Sequence, residues 1–157
     1  MSTRRSTTRG GFSLLEVVIV VAIIAILAAI GIPRMSRGSK GANDAALQGD
    51  LAVLRNAIDL FSAEHGGSFP TAAGIVNELT QYTDVSGAVS ASKTSTHIYG
   101  PYLRSVPPLP VGARKGATGI AALDGADIGW IYTEATGDIR ANTTTEVDDA
   151  NNLYSTY

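Results

Sequence analysis

Apolar and polar positions divide the chain into an apolar segment, an amphipathic segment and a mixed remainder. Residues 12–32 are almost entirely apolar, and Glu16 is their one charged residue. As a helix, these roughly 21 residues would extend about 31 Å, which is about the thickness of the bilayer hydrocarbon core. In lipid the backbone must satisfy its own hydrogen bonds, so the segment predicts a membrane-spanning helix despite its many β-branched residues.

The second segment is periodic. Leucines 47, 51 and 54 are followed by Ile58 and Phe61, so the apolar positions recur every three or four residues. This spacing predicts a helix with one buried stripe, ended by Gly66 and Gly67. Asp44 lies near the start of the stripe and is predicted to support its N-terminal end. The stripe needs an apolar cover, and we expect a sheet to pack on it.

The pattern after the amphipathic segment predicts a short helix, a loop and a connector. Residues 71–82 favour a second helix with Ile75, Val76 and Leu79 facing inward, and residues 85–100 favour a polar surface loop. The proline-rich stretch 99–112 indicates a rigid connector, with recognition of a partner by the proline-rich segment as the alternative.

The C-terminal part of the sequence predicts the strands of the sheet that packs on the apolar stripe. Residues 129–142 have a strand–turn–strand pattern, with the turn at residues 136–138, and are the best candidate for a hairpin over the stripe. Leu153 and Tyr154 are the apolar residues of a polar tail and could dock back on the head.

Charge is distributed unevenly. The chain has a net charge of −2, but residues 1–11 contain three arginines and no acid, which leaves about −5 for the rest. Nucleic-acid binding is one interpretation of these arginines, and retention on the cytoplasmic side ahead of an apolar segment is the one we favour. The chain has no cysteine, which excludes disulfides and thiolate metal sites. His65 and His97 are predicted to be surface or loop residues.

Three interpretations of the apolar segment compete. A cleaved signal peptide fits the arginines and the small residues Ala28 and Ala29, but the apolar run is longer than usual and contains a carboxylate. A plain single-span anchor leaves the orientation ambiguous, because Arg34, Arg37 and Lys40 on the far side match the three leader arginines. The third interpretation is a processed N-terminus.

The six residues Gly11-Phe12-Ser13-Leu14-Leu15-Glu16 resemble the processing motif of type IV pilins and of type II secretion pseudopilins. The resemblance implies that a membrane peptidase cuts between Gly11 and Phe12, that the new Phe12 amine is N-methylated, and that Glu16 is needed for assembly. Pro33 matches the helix-breaking proline of that family. With Gly31, Gly38 and Gly41, it should leave the region between the two helical halves kinked or partly melted.

The resemblance also implies a fold. We expect an α+β, pilin-like protein whose long N-terminal helix has a membrane half and an amphipathic half packed on a small antiparallel sheet. The expected divisions are a basic leader over residues 1–11, a transmembrane or filament-core helix over 12–33, and a globular head over 34–157.

Glu16 needs a partner, because a carboxylate at the bilayer centre costs roughly 2.5–3.5 kcal/mol on insertion scales. Cleavage would create the Phe12 amine about 6 Å away along the same helix. In a staggered stack of subunits, the Glu16 carboxylate of one copy could meet the amine of its neighbour, and each charge would compensate the other. A monomeric anchor with Glu16 at the headgroup boundary is the alternative.

No catalytic constellation is evident, so we expect a protein that is not an enzyme. The carboxylates worth weighing as metal ligands are Asp124, Asp127, Asp148 and Asp149, since the resemblance admits calcium. Their spacing matches no calcium loop, so we assign no metal ligand and expect no cofactor unless it is calcium.

The expected function is that of a structural subunit of a type II secretion pseudopilus. The stretches 99–110 and 129–142 favour a subunit similar to the major pseudopilins, and the chain lacks the C-terminal cysteine pair that type IV pilins often carry. A type IV pilin for adhesion, twitching or DNA uptake is the alternative, and a membrane-anchored binding domain is the alternative of another class. The expected partners are further copies, other pilin-like subunits, prepilin peptidase, and the assembly platform and ATPase, without nucleic acid. The expected location is the bacterial inner membrane, with a periplasmic head and a periplasmic or extracellular filament.

Overall fold

The computed structural model describes residues 11–148 and 150–157, without the side chains of residues 31–37 and 39. The described residues form two compact units, which divide between Ser39 and Lys40. Helix α1, Leu14–Glu64, contributes to both units. The two units are described separately.

The first unit is a helix that is apolar on every side. From Leu14 to Ile30 its large aliphatic side chains are all at least half exposed, from 50% at Ile19 to 81% at Leu14. A helix that is apolar all round is normally covered by lipid or by other protein. Within the described part of the chain, no helix is both long and apolar enough to be assigned as a membrane span.

The expected melting around Pro33 is wrong, because helix α1 continues through it without interruption. A proline inside a helix removes one backbone hydrogen bond and clashes with one preceding carbonyl. The hydrogen bonds on either side can maintain the helical conformation across that single defect. A kink at Pro33 stays a prediction.

In the second unit, the predicted stripe of α1 is confirmed as the centre of the core. Its five members are at most 3% exposed: Leu47, Leu51, Leu54, Ile58 and Phe61. Asp44 does not cap a helix start, since α1 begins at Leu14; it accepts a hydrogen bond of 2.5 Å from the Tyr154 hydroxyl instead. The tail thus docks through Tyr154, which is buried, while Leu153 stays 40% exposed.

The second helix is shorter than predicted. Helix α2 is Ile75–Thr80. Ile75 and Leu79 are buried as expected, but Val76 is 37% exposed. Val76 is turned about 100° from Ile75 and about 60° from Leu79, which places it at the edge of the buried face, where it is partly exposed.

Two small sheets complete the head. Strands β1 (Tyr82–Thr83) and β2 (Val89–Ser90) form an antiparallel hairpin. Strand β2 lies within residues 85–100, where only a loop was expected, and β1 begins at Tyr82, the last residue of the predicted second helix. The main sheet has the order β3–β4–β5, with β3 Gly119–Ala121, β4 Ile128–Thr133 and β5 Asp138–Ala141. A short 3₁₀ helix, Tyr154–Thr156, follows near the C-terminus.

The predicted β4–β5 hairpin is confirmed, with Trp130 opposite Ala141 and Tyr132 opposite Ile139. Trp130 and Tyr132 are at most 1% exposed and join the α1 stripe in the core. The sheet is mixed and not purely antiparallel, because β3 pairs with β4 in parallel. A three-residue strand is only about 10 Å long, so the short connection 122–127 is enough to return the chain to its starting edge.

The stretch 99–112 acts as the predicted connector between α2 and the main sheet. Its aliphatic side chains Leu103, Val106, Leu109 and Val111 are buried in the same core. The backbone amides of Tyr102 and Leu103 both donate to the Leu79 carbonyl at 2.9 Å. The indole of Trp130 donates to the Pro107 carbonyl, also at 2.9 Å, so the connector is fixed at both ends.

Candidate processing and assembly site

The residues of the predicted cleavage site lie just outside the helix. Gly11, Phe12 and Ser13 precede α1, whose first hydrogen bond runs from the Val17 amide to the Ser13 carbonyl at 3.2 Å. The helix therefore begins two residues after Phe12, and the Phe12 nitrogen is not one of its helical positions as the sequence-based distance assumed. A peptide bond outside a helix is accessible to a protease, because its backbone groups are not engaged in helical hydrogen bonds.

Both sides of the predicted bond are open. The Phe12 side chain is 84% exposed, and among the described residues beyond the chain neighbours of Gly11, no atom lies within 4 Å of the position that a Cβ on Gly11 would occupy. Glu16 is exposed and lies in the first turn of α1. A carboxylate in the first turn interacts favourably with the positive end of the helix dipole. Phe12 and Glu16 are thus presented together at one end of the apolar helix.

Within the described part of the head, the carboxylates considered as metal ligands do not gather into one site. Asp124 accepts hydrogen bonds from the Asn142 amide at 2.8 Å and from the Arg114 guanidinium at 3.0 Å. The Asn142 hydrogen bond, followed by that from Arg114, holds the pKa of Asp124 below its usual range. Asp148 accepts from the hydroxyl of Tyr157 and from Asn152, and these bonds lower its pKa to about 2.

Among the described residues, no group of three or more histidine, cysteine, aspartate or glutamate side chains is arranged to hold a metal ion. Asp149 lies outside the described residues. The oxygens of Asp124 and Asp148 already accept protein donors, and calcium binding stays a prediction.

Sequence reasoning missed two ionisable residues that organise the head. Glu146 accepts the backbone amides of Ala113, Thr144 and Thr145 at 2.8–3.1 Å, and this lowers its pKa to about 2. His65 was expected to be a surface or loop residue. It lies in the turn that follows α1, but it is only 6% exposed, so the expectation of a surface position is wrong. Some partners are local, such as Phe61 for His65 and Thr145 for Glu146. The contacts of His65 with Asp84 and of Glu146 with Ala113 join segments distant in sequence, and no local pattern predicts them.

The amino-terminal residues match the family model described as the prokaryotic N-terminal methylation motif, over residues 7–32. The chain carries the N-terminal signature of type IV pilins and pseudopilins. No curated protein and no solved structure matches the chain. The motif indicates a precursor that prepilin peptidase processes and a subunit that polymerises with other pilin-like subunits. Such families are structural and not enzymatic.

Proposed function

We propose that this protein is a structural subunit of a type II secretion pseudopilus. Prepilin peptidase cleaves it between Gly11 and Phe12, and the new Phe12 amine is N-methylated. The apolar helix over residues 12–33 holds the precursor in the bacterial inner membrane, with the head in the periplasm, and later packs in the filament core. The match of residues 7–32 to the methylation motif is the observation that carries this proposal.

The exposed apolar helix supports the proposal. Burial of one valine, leucine or isoleucine side chain contributes about 1.5–3 kcal/mol, and residues 14–30 present many of them half exposed or more. A free helix of this kind is unstable in water. Before assembly, the lipid bilayer buries this helix. After assembly, the helices of neighbouring subunits bury it. Both environments are apolar, so the transfer between them loses little of the stabilisation.

Glu16 gives the assembly its specificity. The carboxylate is exposed at the beginning of an apolar helix, and no salt bridge within the described residues involves it. In the filament it pairs with the methylated Phe12 amine of the next copy, which compensates two charges in an apolar environment. A subunit that lacked either charge would leave the other unpaired, and breaking a buried pair in that way costs about 3–5 kcal/mol.

The head supports secretion over adhesion. The chain has no cysteine, so it lacks the C-terminal cysteine pair that type IV pilins often use. The proline-rich stretch 99–112 is hydrogen-bonded to Leu79 and Trp130 of the head, which supports its role as a rigid connector. The proposed partners are copies of this chain, other pseudopilins, and the assembly platform and ATPase of the secretion machine.

Substitutions at the two motif positions test processing and assembly separately. Gly11→Leu should block cleavage, while Gly10→Leu, one residue away, should still be cut. Glu16→Gln should be cleaved but fail to polymerise, and Glu16→Asp, which keeps the charge, should retain part of the assembly. Cleavage of Gly11→Leu at the same bond, or normal filaments from Glu16→Gln, would contradict the proposal.

Deletion of the gene tests the choice of machine. Loss of export of secreted enzymes, with surface filaments intact, supports the pseudopilus. Loss of twitching, adhesion or DNA uptake with normal export would assign the chain to a type IV pilus, and processing at Gly11 would still stand. In cells that keep the gene, a protein whose N-terminus stays uncut and that never polymerises would instead be a membrane-anchored binding domain.

A further inference from the structure

Three loops of the head surround a cavity of about 200 Å³. They belong to residues 112–116, 122–127 and 142–146, which lie before β3, between β3 and β4, and after β5. The charged residues that line the cavity are Arg114 and two acids, Asp124 and Glu146. The resemblance to pseudopilins admits calcium in the head, and acidic loops supply the oxygen ligands that calcium prefers. The atoms around this cavity therefore show whether the loops suit a metal ion.

Both carboxylate oxygens of Asp124 already accept hydrogen bonds from the protein. The Arg114 guanidinium donates from Nε to Oδ1 at 3.2 Å and from Nη2 to Oδ2 at 3.0 Å, so the pair is bidentate. The Asn142 amide donates to Oδ1 at 2.8 Å and to the Ile128 carbonyl at 2.7 Å. The ion pair is partly exposed, but bidentate geometry is the arrangement in which such pairs stabilise a fold. Asp124 is thus paired with a cation that belongs to the chain.

The carboxylate of Glu146 is held by backbone amides. Its Oε1 accepts the Ala113 amide at 2.8 Å, and its Oε2 accepts the amides of Thr144 and Thr145 at 2.9 and 3.1 Å. The Ala113 bond, followed by that from Thr144, keeps the pKa of Glu146 at about 2, so the group is charged without a metal ion. The hydrogen of an N–H group carries a partial positive charge and repels a cation at the same oxygen.

Arg114 connects the kinds of oxygen that a calcium ion would connect. Calcium binds carboxylate and carbonyl oxygens. The guanidinium donates to the Asp124 carboxylate and, from Nη1, to the Ala126 carbonyl at 3.4 Å. Arg114 also lines a second cavity together with Asp127, the other acid of this loop. Its positive charge is therefore placed where it compensates the acidic loop between β3 and β4.

One buried oxygen beside the cavity has no partner. Thr143 Oγ1 is buried and makes no hydrogen bond within the described structure. Calcium takes roughly six to eight oxygen ligands, and one neutral hydroxyl does not supply them. No cluster of three or more histidine, aspartate or glutamate side chains in the described ranges is arranged around a metal position. The residues of this cavity therefore do not fit a calcium ion.

We propose that Arg114 is an internal cation that takes the place of a metal ion in this head. It joins loop 112–116 to loop 122–127, and Glu146 joins loop 112–116 to loop 142–146. The chain's own charges close the three loops into one cluster, so the head keeps its stability without calcium. This role concerns the folding of the head alone and is independent of the filament that the protein forms.

Urea unfolding of the full chain in detergent, with and without calcium, tests the proposal on the unaltered protein. The fluorescence of Trp130, the only tryptophan, reports unfolding of the head. The urea midpoint should be the same in a calcium chelator and in excess calcium chloride. Magnesium chloride at equal ionic strength is the control for a general salt effect. A midpoint that rises in calcium but not in magnesium would overturn the proposal, because the head would then hold a calcium ion.

Substitution of Arg114 tests whether its charge closes the loops. Arg114→Gln should lower the folding equilibrium constant about fivefold, the equivalent of one net hydrogen bond. Lys115→Gln is the matched control, since it removes the same charge from the next residue, which is exposed, and it should leave the constant unchanged. Asp124→Asn should resemble Arg114→Gln, and the double variant should add little, because both remove the same pair. Equal effects of the two cation substitutions, or full additivity of Arg114→Gln with Asp124→Asn, would contradict the role of Arg114.

Discussion

Truncation of Leu54 tests whether the head is built on the amphipathic half of α1. Leu54 is fully buried in the core, with 0% exposure, whereas Leu60 on the same helix is 56% exposed. Leu54→Ala removes about three buried carbons at about 0.8 kcal/mol each, and the cavity adds to this. The free energy of unfolding should fall by about 2–5 kcal/mol. Leu60→Ala is the matched control, and its effect should stay within about 0.5 kcal/mol.

The chain provides its own reporter for this experiment. Trp130 is the only tryptophan and is fully buried in the same core, so its fluorescence reports unfolding of the head separately from the apolar helix. Urea titration of the full chain in detergent should show a lower midpoint for Leu54→Ala alone. Equal effects of the two substitutions, or a loss below about 1 kcal/mol at Leu54, would refute the packing of the sheet on this stripe.

Two further predictions concern the loops of the head. Gly137 has a φ of +74°, and an added Cβ would lie 2.5 Å from the Phe69 ring, so Gly137→Ala should destabilise the head by more than the roughly 1–2 kcal/mol of left-handed strain. Gly116 has a φ of +93° and open space around it, so Gly116→Ala should show only the backbone strain. Equal urea midpoints for Gly137→Ala and Gly116→Ala would contradict the clash with Phe69. The Glu146 pKa is lowered from 4.5 to about 2, so its stabilisation is full above pH 4.5 and is lost as the pH falls toward 2. Tryptophan fluorescence should show that Glu146→Gln reduces this acid sensitivity, and an unchanged pH profile would contradict the role of the Ala113 loop amides.

Local sequence patterns predicted the elements whose structure depends on residues close together in the sequence. The α1 stripe was predictable because one buried face fixes a spacing of three and four residues, and all five members are buried. The β4–β5 hairpin was predictable from alternation around the turn at Gly137. The N-terminal methylation motif was recognisable because its signal is a dense run of residues at fixed positions, from Gly11 to Glu16, and the family model matches residues 7–32. Cleavage after Gly11 stays a prediction.

Contacts between distant segments could not be predicted. The parallel pairing of β3 depends on a bulged register that a three-residue strand does not encode. The burial of His65 depends on Asp84 and Tyr99, and the role of Glu146 on Ala113, all of them distant in sequence. Asp44 was assigned to a helix start because its neighbours are polar, but its partner is Tyr154.

The N-terminus of the protein from its native membrane is the most direct test of the proposed function. The account predicts an intact mass that lacks residues 1–11, with an N-terminal peptide that begins at Phe12 and carries one added methyl group. Gly10→Leu should give the same mature mass, whereas Gly11→Leu should keep the leader. An uncut terminus in cells with active prepilin peptidase, or a cut near Ala29, would remove the Phe12 amine that Glu16 needs and would contradict assembly through this helix.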